Sequence, residues 1–140
     1  MQKPAPNDAP IHELLRNRWS PRAFADQAIP QEVLRSLFEA ARWAPSSFNE
    51  QPWAYIVATK EDKVNFEKVL GTLVEFNAGW ARSASALAIA VTKLAFTENH
   101  TPNRNAQYDT GAATALLSVE ATARGLAVHQ MAGLDRKSVV

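Results

Sequence analysis

The sequence predicts one domain of the α+β or α/β class in which helices dominate. Three observations predict it. Apolar residues recur at helical spacing over two stretches, 30–44 and 106–124. Two short runs, 53–58 and 86–92, are rich in β-forming side chains. Helical and strand patterns alternate along 140 residues, a length for which one domain with a real core is expected.

Residues 1–9, with Pro4 and Pro6, read as a loose tail ahead of a domain running from 10 to 140. A helix is expected to start near Pro10, with Asp8 as its candidate cap and Ile11, Leu14 and Leu15 on one face. Trp19-Ser20-Pro21 breaks it, because the residue before a proline is pushed out of the α region. Pro30 opens a second helix carrying Val33, Leu37, Ala40, Ala41 and Ala44, and Pro45-Ser46-Ser47 ends it. Trp53 to Ala58 is a buried strand. Thr59 with Asp62 forms a capping box for a third helix reaching about Leu73.

Ala86 to Thr92 is apolar on both faces and is expected as a central strand. Residues 97–105 form a loop. Ala106 to Arg124 is a long helix of small residues, suited to close packing on another helix or on a second subunit, with Gly125 as its stop. Leu126 to Gln130 is expected as a short third strand, and Asp135 as the cap of a further helix. Val139-Val140, apolar and β-branched in the first turn of that helix, suggest a chain cut rather than complete.

Composition narrows the function classes. Hydrophobic residues make up 46% and charged residues 21%, which argues against disorder and coiled coil. A net charge of +1 supplies no field to draw in nucleic acid or an anionic membrane. Without cysteine there is no disulfide, thiolate nucleophile or Cys-ligated metal. His12, His100 and His129 lack metal-ligand spacing, and His129 is expected as a core histidine with a backbone partner. The start of the chain has no apolar signal region, and Gly111 to Leu117 is far too short to span a bilayer. A soluble, cytoplasmic domain is expected.

Three segments bear chemistry. Arg18-Trp19-Ser20-Pro21-Arg22 places two guanidinium forks four residues apart with a hydroxyl between them, a set able to converge on one anion. Alone, it better suits a solvated basic turn. Ala44-Pro45-Ser46-Ser47-Phe48-Asn49-Glu50-Gln51-Pro52-Trp53 joins a helix end to a strand start, with short polar side chains stiffened by prolines. Alone, it equally suits a polar loop closing on a tryptophan. Gly125 to Asp135 runs a strand-like stretch into a Gly-containing turn that would present backbone N–H groups to a flat ligand.

In this order and spacing the segments resemble the FMN-dependent nitroreductase family, from about Ile11 to the last residue. Asn77 in Phe76-Asn77-Ala78-Gly79-Trp80 and the Tyr108-Asp109-Thr110-Gly111 start of the long helix add to the likeness. The resemblance implies an α+β fold with a central, mainly antiparallel sheet flanked by helices, assembled as an intertwined homodimer. It also implies that family members continue past this point with a helical region and a wrapping tail whose basic residues complete the phosphate site.

By the same resemblance, Arg18, Trp19 and Ser20 touch the phosphate and ribityl end of FMN, and Arg22 reaches the pyrimidine side of its ring. Pro45, Ser46, Ser47 and Asn49 come from the other subunit and cover the flavin. Asn77 bonds the pyrimidine edge, and Gln130, Met131, Ala132 and Gly133 run past the ring. Residues 94–105 form part of the substrate wall, and Trp43, Trp53 and Trp80 serve as core and flavin-wall packing. Flavin N5 carries the chemistry, with no catalytic side chain: NADH or NADPH gives a hydride, and a nitroaromatic, quinone or similar electron-poor acceptor takes it in ping-pong fashion. FMN is expected over FAD because no Gly-x-Gly-x-x-Gly stretch is present for a pyrophosphate. The rival reading is a non-catalytic flavin-binding or regulatory protein on the same scaffold.

Overall fold

The computed structural model describes residues 3–135, and the fold is α+β. Helix α1 spans Glu13–Asn17, α2 Gln31–Arg42, and a 3-10 turn Ser47–Asn49 precedes strand β1, Trp53–Thr59. Then come α3 (Lys63–Leu70), α4 (Glu75–Ala81), β2 (Ala86–Thr92) and α5 (Ala106–Ala123). β1 and β2 pair antiparallel with Trp53 opposite Thr92 and Thr59 opposite Ala86.

The pleat sorts the strand residues onto two layers. Trp53 and Tyr55 turn to the α2–α5 side, where Tyr55 packs its ring on Phe38 at 5.2 Å and bonds Thr114 Oγ1 at 3.0 Å. Ala58, Leu87 and Ile89 turn to the other side and form a core with Phe66, Val69 and Leu70 of α3 and with Ala81 and Ala84. The sheet therefore lies between α5 and α3. β2 is not the central strand expected from its two apolar faces: among the described residues the sheet has two strands, and Ala88, Ala90 and Val91 are exposed.

The long helix matches its expectation closely. Gly125 takes φ +72° and lets Leu126 N–H donate to Ala121 C=O at 2.8 Å, a glycine stop that satisfies a terminal carbonyl. Its small-residue face packs on α2 of the same chain, with Leu37, Ala41 and Ala44 against Ala113, Leu117 and Ala121.

Several local expectations need correction. α1 starts at Glu13, and its cap is His12, whose Nδ1 accepts from Leu14 N–H at 3.2 Å, not Asp8. The third helix starts at Lys63 because β1 extends through Thr59; Asp62 itself caps it, accepting from Asn65 N–H at 3.2 Å. It ends at Leu70, and the separate helix α4 follows, which periodicity did not separate. Leu126 to Gln130 is not a strand, since this stretch finds no ladder partner among the described residues. The only bridge nearby pairs Leu73 with Leu134. The helix expected beyond Asp135 falls outside the described residues. Trp43 is 73% exposed rather than packed, with its Nε1 donating to Glu39 at 3.0 Å.

Candidate functional site

Two of the three segments meet on the α4 side of the sheet. Pro21 C=O lies 2.8 Å from His129 Nδ1, which joins the first segment to the third. The His129 ring packs on Trp80 at 4.4 Å and has the backbone partner that the sequence suggests, although it is half-buried rather than a core residue. Next to this link, Arg22 places its guanidinium 5.5 Å from the centre of the Phe76 ring. That contact keeps a cation on the same helix as Asn77.

Asn77 and Gly133 fit one another. Asn77 Nδ2 donates to Ala132 C=O at 2.8 Å, and Val74 N–H donates to Gly133 C=O at 2.9 Å. Gly133 has φ +104°, a backbone that favours glycine, and an added Cβ would stand 2.6 Å from Asn77 Nδ2. Met131 packs on the α3 core, and Gln130 Nε2 donates to Ser118 Oγ of α5 at 3.1 Å.

Arg18 sits at the end of α1 with Nη1 3.5 Å from Ser20 Oγ. Neither Arg18 nor Arg22 takes part in an ion pair among the described residues, whose pairs use Arg42, Lys60, Lys93 and Arg124. The two arginines, whose spacing suggests convergence on one anion, have different partners within the chain. Arg18 lies beside the Ser20 hydroxyl, and Arg22 lies against the Phe76 ring of α4.

Pro45, Ser46, Ser47 and Asn49 stand apart from this cluster, against the start of α5. Ser47 N–H donates to Asp109 Oδ2 at 3.0 Å, and Asp109 is only 4% exposed. Gln51 N–H donates to Ser46 Oγ at 3.0 Å. Phe48, Asn49 and Gln51 all have left-handed φ of 54°, 55° and 48°. Each such residue costs on the order of 1 kcal/mol and persists only where its surroundings hold it.

A cavity of about 1030 Å³ opens between α2–α5 and the sheet, lined by Leu37, Val57, Ala88, Leu117 and Val128. Trp19, Gln130 and Met131 reach it from the expected cofactor set, and the Ser46–Asn49 turn does not. No metal-like cluster occurs among the described residues, and no helix there is long and apolar enough to cross a membrane.

One group that sequence reading missed is Glu50. Its side chain is 11% exposed and accepts from Thr97 N–H at 2.8 Å and from the Thr97 hydroxyl, with Lys93 Nζ 3.7 Å away. Mainly the Thr97 hydroxyl, and then the Thr97 amide and the Lys93 charge, hold its carboxyl below the usual glutamate value against the opposing effect of burial. Its partners lie 43 and 47 residues away, so no local signal marks it.

Comparison with known proteins identifies relatives of this chain and of its fold. The model of the Nitroreductase family matches residues 15–140. A solved structure described as an oxidoreductase containing FMN superposes with a TM-score of 0.89 at 33% identity, over 96% of this chain and 69% of that one. Chloronitrobenzene nitroreductase of Comamonas testosteroni is 38% identical over 65 residues, which are 46% of this chain and 27% of that protein. A Xanthomonas oryzae pv. oryzae protein whose name places it among NADH dehydrogenases and NAD(P)H nitroreductases is 35% identical over 86 residues, 61% of this chain and 40% of that protein. The chain thus spans well under half the length of these two relatives.

Proposed function

The chain belongs to the Nitroreductase family, and on that premise we propose that it is the FMN-binding part of an NAD(P)H-dependent oxidoreductase acting on nitroaromatic, quinone or similar electron-poor acceptors. The observation that carries the reading is that Arg18, beside Ser20, and Arg22, against Phe76 of the helix that bears Asn77, take part in no ion pair among the described residues. Guanidinium and hydroxyl donors suit a phosphate, and a cation with an amide suits the polar edge of a flat ring. The donor set therefore fits FMN. The solved relative contains FMN by its description, and the Xanthomonas relative carries NAD(P)H in its name.

When bound, FMN supplies the centre that takes a hydride from NADH or NADPH and passes it to the acceptor. The protein's part is binding and orientation. Arg18 and Ser20 hold the phosphate, with Trp19 beside them. Arg22 lends positive charge to the pyrimidine side, where negative charge is favoured by a nearby cation. Asn77, tied to Ala132, sets the distance between α4 and the turn 130–133, which would run past the ring. Pro45, Ser46, Ser47 and Asn49 cover the flavin of a second copy in a homodimer, consistent with their place away from the Arg22–Asn77 cluster. The protein works in the cytoplasm.

Heat-released cofactor should run as FMN on chromatography, and the yellow protein should bleach with NADH or NADPH. Recovery of FAD would sink the single-phosphate reading, and a yellow protein indifferent to both nucleotides would favour a binder. Arg18→Ala should weaken FMN binding by about 1.5–3 kcal/mol through loss of a charge-assisted phosphate contact. Riboflavin, which has no phosphate, should lose little affinity; an equal loss would remove the phosphate role.

A further inference from the structure

Between β2 and α5 the chain makes an excursion, residues 94–103, that is bonded mainly to itself. Asn103 N–H donates to Leu94 C=O and Phe96 N–H to Thr101 C=O, both at 2.9 Å, with Ala95 and Pro102 bridged between them. His100 N–H closes the turn on Phe96 C=O at 3.0 Å, with His100 itself at φ +57°. Thr101 caps on Asn99 Oδ1 through its amide and hydroxyl, at 3.0 and 2.7 Å. Such a self-contained turn moves as a body about its two roots unless its tip is tied down.

The tie is one residue. Among the described residues, every hydrogen bond that residues 95–102 make with the chain outside 94–103 passes through Thr97. Its amide and hydroxyl both donate to Glu50, and Lys93 Nζ donates to its hydroxyl at 2.6 Å. The Phe48 ring meets the Phe96 ring edge-on at 5.8 Å alongside. Glu50 can serve as a fixed post because its own loop is held independently, by Asp109 on Ser47 and by Ser46 on Gln51.

We propose that Glu50 is a positioning residue that locks the 94–103 excursion against the Ser46–Gln51 loop and so sets the acceptor-facing wall. The proposal rests on the functional reading above together with the family resemblance, which implies that residues 94–105 form part of that wall. Glu50 touches neither cofactor nor acceptor in this account. It acts through Thr97, and the cofactor contacts of Ser46 and Ser47 have their own anchors. Loosening the lock should therefore move acceptor binding and leave FMN binding in place.

The test compares Glu50→Ala with Glu50→Gln and Thr97→Val in the full chain. Amide hydrogen exchange at Thr97 should quicken by about ten-fold or more in Glu50→Ala relative to the β1–β2 amides, and stay within a few-fold in Glu50→Gln, whose amide oxygen still accepts. Thr97→Val, which keeps the amide and loses the hydroxyl, should fall between them. With FMN and NADH supplied, Glu50→Ala should raise KM for nitrobenzene and 1,4-benzoquinone about ten-fold, with kcat and FMN affinity within two-fold. Unchanged Thr97 exchange in Glu50→Ala would show that no lock exists. Faster exchange with an unchanged acceptor KM, or an equal loss of FMN affinity, would overturn the positioning role. A wild-type chain that turns over neither acceptor would defeat the functional reading, while the exchange result still decides the lock.

Discussion

Gly133 and Asn77 show how closely the two halves of the candidate site are matched. The backbone at Gly133 is left-handed, at φ +104°, and a Cβ there would also stand 3.2 Å from Val74 Cγ2. Gly133→Ala must accept a strained backbone, costing roughly 1–2 kcal/mol, and must push Asn77 away from Ala132. Urea denaturation should register a loss of about 2 kcal/mol. Adding Asn77→Ala removes the nearest clash but leaves φ and Val74 as they were, so the double variant should recover part of the loss. A Gly133→Ala protein as stable as the parent would mean that Val74 and Gly133 are not held together in solution. Glu50 belongs to this scale too, since one carboxylate holds a ten-residue excursion.

The α2–α5 pair carries much of the core. Ala113 and Ala121 are fully buried, and their methyl groups let the two helices approach closely. Ala113→Leu has no room to expand and should cost about 1–3 kcal/mol. That should lower Tm by on the order of 3–10 °C in thermal denaturation. Ala115→Leu, on the exposed side of the same helix, should leave Tm nearly unchanged and controls for helix propensity. Equal effects at both positions would contradict the packing. Of two adjacent leucines on the same helix, Leu116 is exposed, whereas Leu117 is 7% exposed and packs on α2.

For the whole molecule, the distribution of apolar surface points to association. Phe48, Phe76 and Tyr108 are widely exposed, and Ser46, Ser47 and Asn49 stand away from the Arg22–Asn77 cluster. The proposed sharing of the site between two copies accounts for both features, because large exposed apolar side chains on a lone subunit favour self-association. At micromolar concentration the chain should sediment as a weak, aggregation-prone monomer–dimer mixture. FMN should shift it toward the dimer and raise Tm, since a ligand bound only by the assembled form stabilises it by mass action. A monomer that holds FMN tightly would overturn the shared site.

The sequence by itself determined the features that depend on short-range chemistry. Proline at the start of α2, the glycine stop after α5 and the β-forming runs of β1 and β2 act over a few residues, and all four elements stand where they were read. Asn77 and Gly133 were singled out by the family resemblance rather than by local pattern, and Arg18, Ser20 and Arg22 by their spacing as well. Elements fixed by distant partners were not legible. Leu126 to Gln130 has a strand's composition, but a strand exists only where another edge bonds it, and none does among the described residues. Small side chains on α5 left open whether a helix or a second subunit covers them, and only packing identified α2. Asp8 and Thr59 are sound caps in isolation, displaced by His12 and Asp62 once α1 and β1 took their final lengths. Glu50 carries no mark in its own loop. Its meaning comes from Thr97, 47 residues on, which only the folded chain brings within reach.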